Sequence, residues 1–154
     1  MKKAIGFRKG LIGWAILLSV LLAGSTFAQT TDVYFVGNSY TSTYDVPGVF
    51  KALSTSGGHA ANIGSDIIGG SELAQHWATG TATNAIANKP YNYVVLQEIS
   101  DMAYTPAQQT NFNIYAHLFD TAITNSGAKT VLYMTWVRES FISALTNGVA
   151  IYRD

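Results

Sequence analysis

The chain has 154 residues, of which 48% are hydrophobic and 12% charged, and nine basic side chains balance nine acidic ones. This composition excludes collagen, a coiled coil and a disordered tail, each of which needs a biased or strongly charged sequence. The absence of cysteine excludes a disulfide scaffold, a thiolate zinc site and a cysteine nucleophile. The length fits one domain, or one domain with an appendage.

The zero net charge hides an uneven distribution. Four of the nine basic residues lie at the amino terminus, which leaves five basic and nine acidic residues in the rest of the chain. Phosphate binding requires a basic patch, and none is present in the sequence. We therefore expect no nucleic-acid partner.

Residues 1–28 have the pattern of an export signal. Basic residues precede a mostly apolar stretch from Leu11 to Ala23, and small residues then favour cleavage after Ala28. The apolar stretch is shorter than the roughly 20 residues that cross a bilayer. Residues 22–25 resemble a lipobox in which Ser25 replaces the cysteine, so no lipid can be attached there. We predict a secreted or periplasmic protein of residues 29–154, without a stable membrane anchor.

Apolar runs predict four strands in the mature chain, and the third and fourth runs are continuous enough to indicate burial. The strands are expected at 33–36, 59–68, 93–96 and 130–136.

Helix signals lie between and after these runs. Pro47 suits the first turn of a helix over 46–56, and Ser71 suits the N-cap of a helix that reaches Trp77. A capping box at 105–108 opens a helix whose apolar residues repeat every 3.6 residues until Gly127. A last helix is expected from Ser143, whereas residues 78–90 are small and polar and indicate a loop with one possible helical turn near Ala85.

The alternation of strands and helices favours an α/β fold with a parallel sheet. In a four-stranded sheet, the run Val131–Met134 at the rim would leave an apolar edge without protection. Domains of this class usually continue to another strand. We therefore expect the sequence to be incomplete at its carboxyl terminus.

Ligands of open α/β sheets bind beyond the carboxyl ends of the strands. Three predicted strands end there in polar or glycine-rich segments, namely 37–39, 69–71 and 97–98. A serine at a sharp turn between strand and helix can present its hydroxyl outward, and neighbouring N–H groups can hold an oxyanion. Gly-Asn-Ser is also compatible with an ordinary turn. The coincidence of three such segments at one sheet edge favours a catalytic site.

These segments resemble the ordered sequence blocks of the SGNH (GDSL-like) hydrolases. The similarity is greatest to the bacterial branch in which Gly-Asn-Ser replaces Gly-Asp-Ser and Gln-Glu replaces Gly-x-Asn-Asp. The four matching segments are 33–41, 69–77, 93–100 and 131–136. Each segment alone is a weak match, but four in order at suitable spacing make a fairly specific resemblance across residues 32–137.

The resemblance implies a flavodoxin-like three-layer α/β/α sandwich and a serine esterase that needs no metal or organic cofactor. Ser39 would be the nucleophile and would also donate its backbone N–H to the oxyanion hole. Gly70 would donate a second N–H, and the amide of Gln97 would replace the asparagine of the family. Further substrate contacts would come from Asn38, His76 and Glu98. Exported members often act on acylated carbohydrate, so deacetylation of a glycan ester is the expected reaction.

The general base of this family is a histidine in an Asp-x-x-His block after a fifth strand, and this chain lacks that block. Serine needs a neighbouring base to become an effective nucleophile. His59 is expected at the far edge of the sheet and His117 on the solvated side of a helix. His76 could line the pocket, although packing beside Trp77 is the simpler role. We expect half an active site and therefore an inactive fragment.

Three features of the sequence allow other interpretations. Residues 64–71 nearly match a phosphate-binding loop, but glycine replaces the lysine and Asp66 would repel phosphate. Glu72 and His76 lie four residues apart, yet two ligands without a third do not make a metal site, and none is predicted. The main alternative to an esterase is a non-catalytic glycan-binding or vestigial domain, because tyrosine rings can stack on sugars.

Overall fold

A computed structural model describes residues 30–100 and 105–135 of the chain. Its elements in chain order are β1 (Thr31–Gly37), α1 (Ser39–Ser42), α2 (Val46–Ser56), β2 (Ala61–Ile67), α3 (Leu73–Thr79), α4 (Thr81–Asn88), β3 (Tyr93–Leu96), α5 (Pro106–Asn125) and β4 (Lys129–Leu132). The predicted export signal over 1–28 and the predicted helix from Ser143 lie outside the described residues. Among the described helices, none combines the length and the apolar character that a membrane span requires.

The four strands form one parallel sheet in the order β2-β1-β3-β4. The chain first moves outward from β1 to β2, then crosses back to β3 and continues to β4. The direction of winding therefore reverses between β1 and β3, which is where doubly wound folds bind their ligands. This arrangement confirms the predicted α/β fold with a parallel sheet.

The side chains of β1 alternate between the two faces of the sheet, as the period of a strand requires. Tyr34 and Val36 belong to the main core, which also contains buried residues of α3, α4, β3 and α5. On the opposite face, the ring of Phe35 packs edge-on against Phe50 of α2, with 5.9 Å between the centroids. The sheet thus lies between α2 and the three helices α3, α4 and α5, which is the expected three-layer sandwich.

The helix predicted over 46–56 is present with the same bounds. It begins after Asp45, whose φ of 45° is left-handed and whose carboxylate accepts a hydrogen bond from the backbone N–H of Gly48. Thr105 is the N-cap of α5, because its hydroxyl accepts from the N–H of Gln108 at 3.2 Å and donates to the Gln108 side chain at 2.9 Å. Both helix starts were correctly indicated by local sequence signals.

Residues 78–90 were predicted as a loop, and this prediction is wrong. Most of the segment is helix α4, in which Ala82 and Ile86 are almost completely buried. Their spacing of four residues places both on one helix face against the core. This burial outweighs the weak helix propensity of the threonines and asparagines around them.

The fourth strand is not buried as its continuous apolar run indicates, and it instead forms the exposed apolar edge that is expected of this run at the rim of a four-stranded sheet. β4 ends at Leu132, and the exposed fractions of Val131, Leu132 and Met134 are 40%, 58% and 86%. The strand order explains this exposure, because β4 pairs with β3 on one side and no other described strand pairs with it. In β3, Val94 and Leu96 are buried but Tyr93 is exposed, so its predicted burial on both faces holds only in part.

Candidate active site

Three segments meet at the carboxyl edge of the sheet. The serine turn (37–39) follows β1, the glycine turn (68–71) follows β2, and the glutamine loop (97–98) follows β3. Because β1 lies between β2 and β3 in the sheet, the serine turn lies between the other two segments. The structure therefore brings together the three segments that the sequence singled out.

The serine turn presents Ser39 to solvent while the residues around it are buried. Ser39 is exposed and is the first residue of α1, whereas Asn38 before it is 1% exposed. The side chain of Asn38 accepts a hydrogen bond from the N–H of Tyr40 at 3.1 Å, which fixes the start of the helix. Within the described residues, no acceptor is bonded to the N–H of Ser39. Ser39 is thus an exposed residue with an unbonded backbone N–H, next to a buried asparagine that fixes the turn.

Gly37 is required by close approach to its neighbours. A Cβ at this position would lie 2.5 Å from the hydroxyl oxygen of Thr41 and 2.7 Å from Oε1 of Gln97. Both of these side chains are buried and are hydrogen-bonded to one another. No larger residue fits without moving the turn that carries Ser39.

The glycine turn is closed by a hydrogen bond of 3.2 Å from the N–H of Ser71 to the carbonyl of Ile68. The φ of Gly70 is +70°, which is the value that the third residue of a type II turn needs. A Cβ added at Gly69 or Gly70 would meet no atom within 4 Å, so the outer side of the turn is open. The N–H of Gly70 has no acceptor in the described part of the chain and is available to a ligand.

The side chain of Gln97 is 1% exposed, and its amide is fully occupied. Its Oε1 accepts from the N–H of Asn38 at 2.9 Å and from the Thr41 hydroxyl at 2.8 Å. Its Nε2 donates to Oδ1 of Asn38 at 2.9 Å and to the carbonyl of Glu98 at 2.5 Å. A substrate oxygen would have to replace one of these two acceptors to receive a hydrogen bond from Gln97.

Glu98 and Asn38 make further contacts around the site. The carboxylate of Glu98 accepts from the N–H of Leu73, at 3.3 Å to Oε1 and 3.2 Å to Oε2, and so caps the first turn of α3. A negative charge at a helix N-terminus is favourable there. Nδ2 of Asn38 donates to the carbonyl of Ser71 at 2.9 Å. The serine turn is therefore bonded directly to both other segments, whereas the glutamine loop reaches the glycine turn only through the start of α3.

His76 lies beneath the glycine turn and is completely buried. Its Nδ1 is 2.9 Å from Oδ2 of Asp66, and its Nε2 is 2.6 Å from the hydroxyl oxygen of Ser71 and 3.0 Å from the carbonyl of Gly37. The sequence did not predict these partners. In the sequence, Asp66 is noted only as a group that would repel phosphate. Ser71 is predicted as the N-cap of the helix that reaches Trp77, but Glu72 occupies that position.

The other two histidines lie away from the serine turn. His59 is exposed and precedes β2, whose seven residues separate it from the carboxyl edge by roughly 23 Å. His117 is exposed in α5, eleven residues beyond its first residue and therefore about 16 Å along the helix. Neither histidine forms a hydrogen bond with Ser39 in the described structure.

The possible metal pair of Glu72 and His76 does not converge. Glu72 accepts a hydrogen bond from the side chain of Asn111 at 3.2 Å, whereas His76 points inward to Asp66. Over residues 30–100 and 105–135, no three histidine, aspartate or glutamate side chains are grouped closely enough to hold a metal ion.

Solved structures of other proteins have the same fold as this chain. TesA superimposes with a TM-score of 0.58 at 16% identity over 79% of this chain and 72% of its own. A DUF4886 family protein from Bacteroides uniformis ATCC 8492 gives 0.57 at 21% identity over 80% of this chain. The match covers 59% of the length of that second protein.

The chain therefore shares the fold of these two structures, and its parallel α/β sheet is the architecture that the sequence resemblance implied. No protein-family model matches the sequence, and no curated protein sequence does.

Proposed function

We propose that the chain carries the nucleophile and the oxyanion donors of a secreted serine esterase of SGNH type. The observation that supports this most directly is the exposed hydroxyl of Ser39 at the point where the winding of the sheet reverses. The unbonded N–H groups of Ser39 and Gly70 belong to segments that are hydrogen-bonded to one another. Such fixed donors stabilise the charge that develops on a carbonyl oxygen.

The proposed reaction has two steps. The Ser39 oxygen bonds to the carbonyl carbon of an ester, the bond from that carbon to the alcohol oxygen breaks, and the serine proton passes to the leaving alcohol. Water then attacks the acyl carbon, which releases the acid and restores the hydroxyl. Two easier steps thereby replace one difficult step.

An acetylated carbohydrate is the proposed substrate. The outer side of the glycine turn is open, and no side chain projects from Gly69 or Gly70 to limit what approaches Ser39. Tyr44, two residues beyond α1, is 71% exposed and offers a ring on which a sugar could pack. The export pattern of residues 1–28 supports action on extracellular or periplasmic glycan.

We further propose that this chain alone turns over esters slowly. All three of its histidines lie in the described residues, and none is hydrogen-bonded to Ser39. An unassisted serine hydroxyl is a weak nucleophile near neutral pH. The oxyanion donors can still favour attack on a strongly electrophilic probe.

The test uses the full chain with a fluorophosphonate probe and with p-nitrophenyl acetate. We expect the probe to modify Ser39, as located by mass spectrometry, and acetate release to remain close to background. Ser39→Ala should abolish labelling, whereas Ser42→Ala, an exposed serine of the same helix, should leave it unchanged. A folded chain whose Ser39 remains unmodified would contradict the proposal. Rapid turnover of p-nitrophenyl acetate by the parent chain would contradict the proposed slow turnover.

A non-catalytic glycan-binding domain is the second candidate. It is favoured by the full occupation of the Gln97 amide, which leaves its Nε2 without a hydrogen for a substrate oxygen. Calorimetry with acetylated oligosaccharides separates the two functions. Binding that persists in Ser39→Ala, in a chain that no probe labels, would favour the binding domain.

A further inference from the structure

The hydrogen-bonded cluster of Asp66, His76 and Ser71 contains the three side-chain types of a catalytic triad. The proposed reaction uses none of them as acid, base or nucleophile. All three residues are buried at the glycine turn, and their exposed fractions are 9% for Asp66, 0% for His76 and 1% for Ser71. Nδ1 of His76 lies 2.9 Å from Oδ2 of Asp66, and its Nε2 lies 2.6 Å from the hydroxyl oxygen of Ser71. A buried cluster of this kind needs a role other than contact with substrate.

The hydrogen-bond partners determine which atoms donate. The carbonyl of Gly37 can only accept, so Nε2 of His76 carries a proton toward it at 3.0 Å. The Ser71 hydroxyl donates to the carbonyl of Ile68 at 2.8 Å, which leaves its oxygen free to accept from Nε2. Nδ1 faces a carboxylate oxygen of Asp66 and shares a second proton with it. A nucleophilic triad requires an unprotonated Nε2, so this cluster is not one.

The same contacts join the two turns that flank the reaction site. Gly37 immediately precedes Asn38 and Ser39, and Ser71 immediately follows Gly70. The imidazole of His76 therefore bridges the end of β1 to the end of the glycine turn, while Asp66 at the end of β2 holds its other nitrogen. The N–H of Ile68 adds a parallel bond of 3.0 Å to the same Gly37 carbonyl.

We propose that His76 is a positioning residue that donates from both ring nitrogens and so fixes Gly70 relative to Ser39. This inference rests on the proposed function for the roles of Gly70 and Ser39, but the state of the ring is independent of that function. Loss of the ring would leave Asp66 without its bond to Nδ1 and the Gly37 carbonyl without its bond to Nε2. The glycine turn would then be free to shift, and the oxyanion donors would separate.

The first experiment examines the ring itself. In the full chain labelled with ¹⁵N-histidine, His76 should give two slowly exchanging ring N–H signals, because it is completely buried. The rings of His59 and His117 are exposed and should exchange rapidly. A His76 ring with an unprotonated Nε2 would overturn the proposal whether or not Ser39 reacts with any probe.

The second experiment measures positioning with saturable fluorophosphonate labelling of Ser39. In His76→Gln we expect the maximal labelling rate to fall by about tenfold, since removal of one oxyanion donor costs 10²–10³. The probe concentration at half-saturation should stay constant, and the amide of Ile68, which donates to the Gly37 carbonyl at 3.0 Å, should exchange faster. His117→Gln, the matched exposed histidine, should change none of these quantities. A folded His76→Gln chain with the labelling rate and Ile68 exchange of the parent would refute the proposal.

Two further outcomes keep the test decisive. If His76→Gln does not fold, Ser71→Ala retains the ring and removes one of its contacts, so exchange of the Ile68 amide should still increase; unchanged exchange would count against the proposal. If the parent chain is never labelled, the proposed function fails. The ring signals and the Ile68 exchange then decide the role of His76 alone.

Discussion

Replacement of Gln97 by leucine tests the idea that the three segments of the site form one buried polar network. The substitution preserves much of the side-chain volume but removes all four hydrogen bonds of the amide. The N–H of Asn38 and the hydroxyl of Thr41 both lose their acceptor and remain 1% exposed. Each buried donor without a partner costs about 1–3 kcal/mol, so we expect a loss of about 2–6 kcal/mol.

This loss is large compared with the 5–15 kcal/mol that stabilise a typical domain. Urea unfolding of the full chain, followed by circular dichroism, should show a midpoint lowered by roughly 1–3 M at an unchanged slope. Gln75→Leu is the matched control, because Gln75 is exposed on α3. Its free energy of unfolding should differ from that of the parent chain by no more than about 0.5 kcal/mol. A Gln97→Leu midpoint equal to that of the control would refute the reasoning.

Three further predictions concern other parts of the fold. Gly37→Ala should destabilise the chain by about 1–3 kcal/mol, because the new Cβ meets two buried oxygens; unfolding in urea measures this, and a neutral result would mean that the turn adapts. Burial, together with the negative charge of Asp66, raises the pKa of Tyr34 to about 12. The folded chain therefore retains a proton that the unfolded chain loses, and stability present below pH 10 should be lost as the pH rises through about 12, by up to about 2–3 kcal/mol. Tyr34→Phe should flatten this part of the pH profile, and a profile identical to the parent would contradict the assignment. Leu132 is 58% exposed on β4, at the edge of the described sheet, so we expect the chain to self-associate through this strand and Leu132→Lys to lower the light scattering; no reduction would exclude this edge as the contact.

Much of the fold could be predicted because its signals are local. The run that became β1 and the helix over 46–56 each carry apolar periodicity and an end signal within a few residues. The parallel sheet then follows from their alternation along the chain. The three segments of the candidate site could also be located, because strand ends in a parallel sheet share one edge.

The errors occurred where burial depends on strand order rather than on local sequence. Val131 and Leu132 form part of a continuous apolar run, but their strand lies beside β3 alone, so one side of it is not covered by a described strand. α4 shows the opposite case. Its two buried residues, Ala82 and Ile86, are too few to produce a clear helical period among polar neighbours, although the core covers both.

The role of His76 required knowledge of distant partners. Asp66 lies ten residues before it and Ser71 five before it, on a strand and a turn that only the folded chain places around the ring. From the sequence, a histidine beside a substrate loop suggests contact with the substrate. Both ring nitrogens face groups that accept hydrogen bonds. The folded chain therefore places His76 among the groups that hold the glycine turn. A buried histidine near an active site should therefore be assigned a role from its donor and acceptor partners before it is considered as a base.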